Sequence, residues 1–183
     1  MSDRAVDDEI TQLAVAAGRG DRAAANALIR NTQRDIWRFL VYLVGAEDAE
    51  RLTQETYVRA LTGVRKLRGN ARTWLLATAR RIAAEHLSAG ENRPRIATDP
   101  AHLPGGEDSA AITRAVRTLP IELRDAFVLT QVLGLDYASA GEVCDGTVAE
   151  IRARVAQARR ELVSELAPGM RPSHVRRSPA APR

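Results

Sequence analysis

In the first half of the chain, apolar residues recur at intervals of three and four, the period of a helix with one buried face. Ile10, Leu13, Ala14 and Ala17 share such a face, and the segment GRGD breaks it. Leu28, Ile36, Leu40 and Val41 then mark a long amphipathic helix from about Ala23 to Val44, stopped by Gly45. A third helix is predicted from Asp48 to about Val64, with Leu52, Thr56, Ala60 and Val64 turned inward. After RKLRGN a fourth runs from about Arg72 to Leu87. Ser88 to Asp108 breaks the period with Pro94, Pro100, Pro104 and several glycines and offers few apolar residues to bury, so it reads as a flexible linker. Helical spacing returns at Ser109 to Thr118. Further helices follow from Pro120, a first-turn residue, to about Val132, from Tyr137 to Cys144, and from Val148 to about Leu166. Residues 167–183 carry Arg171, Arg176, Arg177 and Arg183 with no acid and no period, the pattern of a disordered basic tail. No stretch alternates like a strand. The expected fold is all-α, with two small helical domains, residues 1–87 and 109–166, joined by the linker 88–108.

Composition narrows the chemistry. Across 183 residues, 27 Lys and Arg stand against 23 Asp and Glu, a net charge of +4, and Lys66 is the single lysine. That balance permits a polyanionic partner without requiring one, so the placement of the arginines has to decide. Cys144 is the sole cysteine, which rules out an intrachain disulfide, and His86, His102 and His174 lie too far apart for zinc spacing. No apolar run approaches the roughly 20 residues of a membrane span, and the start MSDRAVDDEI is too acidic for a signal peptide, so the expected location is cytoplasmic. There is no Ser-His-Asp grouping and no phosphate-cradling glycine loop. The chain is therefore expected not to be an enzyme and to need no cofactor, metal or small-molecule substrate.

The stretch from Val143 to Leu162, VCDGTVAEIRARVAQARREL, is the most informative. A short helix, then Asp145-Gly146, then a second helix has the spacing of a helix-turn-helix, with the glycine expected to relieve the tight turn. Thr147 followed three residues later by Glu150 forms a capping box, which gives Glu150 a structural use at the helix start. At about 100° per residue, Val148, Ile151, Val155, Ala158, Leu162 and Leu166 gather on the core face. Ala149, Ala153, Ala156, Gln157 and Arg160 fall opposite, with Arg152 and Arg159 on one flank and Arg154 on the other. A stripe of small residues edged by arginines lets a helix sit deep in a groove while its edges meet phosphates. A solvated surface helix would carry acids four residues from its bases, and Ile151 to Arg160 has no acid.

LPIELRDAFVLTQVLGLDYASAGEVC followed by IRARVAQARREL resembles the second domain of extracytoplasmic-function sigma factors, and DAERLTQETYVRAL and RTWLLATARRIAAEHL resemble the first. The resemblance covers about Ile10 to Leu166. It implies a bacterial RNA polymerase subunit that binds core polymerase and promoter DNA, and it admits an anti-sigma factor as a further partner. On the third helix the resemblance places the polymerase contact at Arg51, Leu52, Gln54, Glu55 and Val58. On the fourth it places the downstream promoter element at Trp74, with Arg72, Arg80 and Arg81 on phosphates. On the last helix it places the upstream element at Thr147, Ala149, Arg152, Ala153, Arg154, Gln157, Arg159 and Arg160.

Several positions depart from the family pattern. Arg51 stands where an acid is usual, Leu67 to Thr73 is short, and Ser88-Ala89-Gly90 replaces a basic cluster. Ala149-Glu150 replaces Gly-Thr, Ala153 a serine and Gln157 a frequent arginine, which leaves few side chains to read base edges. These departures motivate one rival expectation, a sigma-like decoy that keeps protein contacts without productive promoter recognition; a second rival, a plain helix-turn-helix repressor, leaves the first domain without a role. Cys144 is expected to be a small buried core residue.

Overall fold

Asp21 shows how local chemistry sets the helix ends: its Oδ1 accepts hydrogen bonds from the backbone N–H groups of Ala23 (2.8 Å) and Ala24 (3.0 Å), capping the helix that follows the GRGD break. The computed structural model describes residues 3–89 and 106–166. They form eight α-helices: α1 (Asp3–Gly18), α2 (Arg22–Val44), α3 (Ala46–Gly63), α4 (Ala71–Ser88), α5 (Gly106–Thr118), α6 (Ile121–Phe127), α7 (Tyr137–Cys144) and α8 (Val148–Leu166). A short 3₁₀ turn, Val64–Lys66, closes α3. A π-helical turn, Val128–Val132, extends α6, where the sequence predicts one uninterrupted helix. The expected linker is narrower than its sequence suggests, because Ser88 still belongs to α4 and Gly106 already opens α5. Residues 90–105 and the tail 167–183 lie outside the described residues.

α1 to α4 pack as a bundle around Leu28, Ile36, Phe39, Leu40, Leu52, Leu75, Leu76 and Ile82, all essentially removed from water. One buried polar pair ties α2 to α3. The Thr32 hydroxyl donates to the Leu28 carbonyl at 2.7 Å, and the Tyr57 hydroxyl lies 2.7 Å from the Thr32 hydroxyl. Burial pushes the Tyr57 phenol up to about 12. α5 to α8 fold around Val116, Leu129, Ile151, Val155 and Ala158.

The two units are not separate in space. Their buried side chains join into one continuous core, and α4 lies against α7 while α2 meets α5 and α6. The C-terminus of α2 is built into this junction. Its last turn contains no basic residue of its own. Instead Arg124 donates to the Leu43 carbonyl at 2.9 Å and Arg117 to the Val44 carbonyl at 3.4 Å, so cations from the second unit complement the negative end of the α2 dipole. Gly45 makes room for this. It is buried, at φ 100° and ψ 166°, and a Cβ there would stand 3.1 Å from a guanidinium nitrogen of Arg117.

Gly45→Ala is therefore expected to lose about 1–3 kcal/mol from backbone conformation alone, before any displacement of Arg117. Chemical denaturation should show a lower midpoint; an unchanged midpoint would mean that the α2–α3 turn readily adopts another geometry.

Candidate nucleic-acid and protein interfaces

The helix-turn-helix forms from three local devices. Asp136 caps α7, its Oδ1 accepting from the N–H groups of Ala138 (2.8 Å) and Ser139 (2.9 Å), and those hydrogen bonds hold its carboxyl below the usual range. The turn itself corrects the sequence expectation. Asp145, not Gly146, adopts the left-handed conformation, at φ 54° and ψ 43°. The glycine demanded by space is Gly141, where a Cβ would lie 2.5 Å from the Gly146 carbonyl oxygen. The capping box of α8 forms as the sequence predicts. Glu150 Oε2 accepts from the Thr147 N–H (2.7 Å) and hydroxyl (2.9 Å), while the Glu150 N–H donates to the Thr147 hydroxyl at 3.2 Å.

On α8, Ile151, Val155, Ala158 and Leu162 are buried, as expected. Val148 and Leu166, placed on the core face by periodicity, are 39% and 49% exposed, at the two ends of the helix. Ala149, Arg152, Ala153, Ala156, Gln157, Arg159 and Arg160 all face solvent, and Arg154 is half-buried. Two of the edge arginines are held in place. The Arg152 guanidinium lies over the Tyr137 ring, 5.5 Å from its centroid, and Arg159 donates to the Gln131 side-chain oxygen at 2.5 Å. Both supports come from residues that sequence pattern did not single out, since they are spread across α7 and the π-helical turn. Gln157 donates to Glu161 at 2.9 Å along its own helix.

The candidate residues of α3 divide into two groups. Val58 is 67% exposed, and Gln54 and Arg51 are exposed beside it. Leu52 is only 1% exposed, so its assignment to a polymerase contact is corrected: it belongs to the bundle core. Arg51 folds back, donating to Asp48 (3.3 Å), lying 3.2 Å from His86 Nδ1 and 3.9 Å from Glu55. Arg59 bridges Glu55 at 2.6 Å and Glu85 at 2.5 Å. Next to this strip lies an open cleft of about 400 Å³ between α2 and α3, lined by Gln33, Arg34, Trp37, Glu50, Thr53 and Gln54. Trp37 was missed in the sequence. Its spacing of four from Gln33 is the signal that it shares the cleft face.

The candidate residues of α4 are mostly engaged inside the molecule. Arg72 donates to Asp35 through Nη2 at 2.6 Å and Nε at 3.1 Å, and through Nη2 to the Leu133 carbonyl at 2.9 Å. Arg80 Nε donates to Asp125 Oδ2 at 2.6 Å. Asp125 is 1% exposed, and burial pushes its carboxyl above the ordinary value while the Arg80 charge pulls the other way. Trp74 is half-buried and, with Arg80, Arg81, Asp125 and Val143, lines a cavity of about 430 Å³ at the junction of the two units. Arg81 alone of the four is exposed. The loop ahead of α4 is anchored by Asn70, which caps Thr73 (3.0 Å) and donates to Asp7 (3.0 Å), and it carries exposed Arg65, Lys66 and Arg68, cations the sequence reading passed over. Cys144 is buried, as expected, and burial raises its thiol to about 11. Among the described residues no group of His, Cys, Asp or Glu could hold a metal ion, and no helix is long and apolar enough to cross a membrane.

Replacing Glu150 with Gln is expected to lower the melting temperature, because hydrogen bonds from the Thr147 N–H and hydroxyl hold that carboxyl below the ordinary glutamate value. A depressed carboxyl stabilises the fold above its unfolded value and loses that contribution as pH falls through the folded one. The gap between the variant and the parent protein should therefore close on acidification; a gap independent of pH would show that the capping box is not ionic.

Comparison with known proteins agrees with this architecture. Residues 28–93 match the family model for Sigma-70 region 2, and residues 109–162 match that for Sigma-70, region 4. The chain is 42% identical over 180 residues to the ECF RNA polymerase sigma factor SigC of Mycobacterium tuberculosis, covering 92% of this chain and 97% of that one. It is 25% identical over 175 residues to the ECF RNA polymerase sigma-E factor of Escherichia coli, covering 84% and 92%. The fold is also similar to that of CnrH, solved in complex with the cytosolic domain of CnrY, with a TM-score of 0.72 at 20% identity over 86% of this chain and 97% of that one. The sigma factor RpoE of Bartonella quintana, solved with the anti-sigma factor NepR, gives 0.70 at 22% identity over 79% and 97%. With both halves matched in order and a relative 42% identical over 92% of the chain, the chain belongs to the extracytoplasmic-function family of RNA polymerase sigma factors.

Proposed function

We propose that this chain is a sigma factor that binds core RNA polymerase and directs it to a set of promoters, acting in the cytoplasm as a regulatory subunit rather than an enzyme. The observation that carries this reading is the co-occurrence, in one chain, of a helix-turn-helix with an arginine-edged groove face and a four-helix bundle with an exposed mixed strip. A plain repressor leaves the second surface without a role. A decoy would keep the strip on α3 yet have no need for Arg152 and Arg159 to be pre-positioned by Tyr137 and Gln131. The similarity to RpoE of Bartonella quintana, solved with the anti-sigma factor NepR, supports admitting an anti-sigma factor as a further partner.

In this reading α8 enters the major groove with Ala149 and Ala153 towards the base edges, where alanine can touch thymine methyl groups. Thr147 and Gln157 stand beside them as polar contacts, while Arg152, Arg154, Arg159 and Arg160 meet phosphates. Phosphate contacts fix register and supply affinity without reading sequence. Arg152→Ala should weaken binding to all sequences alike and lower the salt slope by about 1. Titrations at several salt concentrations check this. A loss confined to one base pair, with the slope unchanged, would show that Arg152 reads a base.

The strip of Arg51, Gln54, Glu55 and Val58, with the adjoining Trp37 cleft, is the surface offered to core polymerase. An exposed valine ringed by polar groups is the kind of anchor that helix docking uses. Transcription in vitro with core polymerase on genomic fragments tests the function: specific transcripts are expected, and Val58→Asp should abolish them while leaving the melting temperature nearly unchanged. Polymerase binding without transcripts would favour the decoy, and operator binding without polymerase the repressor.

A further inference from the structure

The guanidinium of Arg51 is tied down at one nitrogen and open at the other. Its Nη2 donates to Asp48 Oδ1 at 3.3 Å, in the first turn of α3, and lies 3.2 Å from Nδ1 of His86, in the last turn of α4. Its Nη1 stands 3.9 Å from Glu55, beyond hydrogen-bond reach, and the side chain as a whole remains 54% exposed. A guanidinium only donates, so Nδ1 of His86 accepts from it, and the proton of the neutral ring then sits on Nε2, 3.3 Å from Asp48 Oδ2. His86 itself is enclosed between the two helices, with 5% of its side chain exposed. An imidazole that accepts orients the guanidinium without cancelling its charge. A carboxylate in the same place would do both, as Glu85, the preceding residue of α4, does for Arg59.

We propose that His86 is a positioning residue for polymerase docking: it fixes Arg51 so that Nη1 donates to a carboxylate on the core polymerase segment that covers Val58. This rests on the reading above that the α3 strip is the surface offered to polymerase. Arg51 and Val58 are seven residues apart, two turns or about 10 Å along one face of α3, so a single partner element spans both. Exposed ion pairs add little stability. What the arrangement changes is the rotamer freedom that Arg51 has left to lose when a partner arrives. Arginine suits the task because its planar fork holds the imidazole at one nitrogen while the other stays free for a carboxylate, a division that the single nitrogen of lysine does not provide.

The test is a titration of core polymerase with the labelled full chain and its variants. Arg51→Ala is expected to weaken binding about tenfold, and Arg51→Glu further still, because it sets like charges against each other. His86→Leu should weaken the parent chain by a similar factor yet add nothing in the Arg51→Ala background, since its effect passes through Arg51. His86→Asn, which keeps an acceptor near the place of Nδ1, should restore most of the affinity that His86→Leu loses.

A loss from His86→Leu that is equally large with and without Arg51 would show that His86 only packs α4 against α3, and the proposal is overturned. It is overturned too if Arg51→Glu binds as tightly as Arg51→Ala, because the facing group is then not a carboxylate. Should His86→Leu not fold, the imidazole 15N spectrum of the parent chain decides: the tautomer protonated on Nε2, with an Nδ1 resonance that moves in Arg51→Ala, is required, and the tautomer protonated on Nδ1 contradicts the proposal. Val58→Asp separates this claim from the one beneath it. If Arg51→Ala leaves binding unchanged while Val58→Asp weakens it, the role of Arg51 and His86 falls and the docking strip stands; if neither has an effect, the docking strip falls as well.

Discussion

The buried pair of Arg80 and Asp125 is the contact on which the arrangement of the whole molecule turns. It joins α4 to α6, the central helices of the two units, at 2.6 Å and with the carboxylate 1% exposed. Taking a carboxylate out of water is expensive, and a single guanidinium does not fully offset the cost when one oxygen remains without a donor. What lets the pair persist is the set of contacts around it. Arg124 and Arg117 cap the carbonyls that end α2, Arg72 reaches across to the Leu133 carbonyl, and the apolar side chains of both units run together into one core. Each of the polar contacts uses an arginine from one unit and a backbone or carboxylate oxygen from the other, and an open cavity lies beside the Arg80–Asp125 pair.

That construction links fold to function. A sigma factor must present two surfaces to DNA and one to polymerase, and of the surfaces proposed here for those roles, the ones on α3 and α8 are exposed while the one on α4 is engaged. α8 carries its arginines in fixed positions, Arg152 on the face of Tyr137 and Arg159 on Gln131, which reduces the side-chain freedom lost on binding. The α3 strip keeps Val58 exposed inside a network of ion pairs that orders Arg51, Glu55 and Arg59. Surface ion pairs of this kind add little stability. Their effect here is to fix the polar surroundings of an exposed valine.

Much of this was legible in the sequence because helices announce themselves by period. The faces of α2, α3 and α8 followed from the spacing of Leu28, Ile36, Leu52, Ala60, Ile151 and Val155, and the Thr147–Glu150 capping box from two residues three apart. Period carries no information about neighbours, and this is where the reading failed. Val148 and Leu166 obey the core spacing yet remain partly exposed at the two ends of α8. Leu52 was given a contact role that its own periodicity already argued against. The turn of the helix-turn-helix was credited to Gly146, whereas the strain falls on Asp145 and the steric demand on Gly141, because both depend on how α7 and α8 approach each other. The partners of Arg72 and Arg80 were invisible for the same reason: Asp125 and Leu133 are far away in the chain, and only the packed structure brings them within hydrogen-bond distance.

The central claim, that the two units are joined through Arg80 and Asp125 in the folded chain, is tested most directly by a double-mutant cycle on stability. Arg80→Ala, Asp125→Ala and the double variant are unfolded in denaturant alongside the parent chain. Each single change should be costly, since it leaves one charge in the junction without its partner, and the double change should cost clearly less than the sum, with a coupling of about 1–3 kcal/mol. Strict additivity, with both single variants near the parent stability, would contradict the account: the pair would then not be formed in solution, and the two units would have to be joined in some other way.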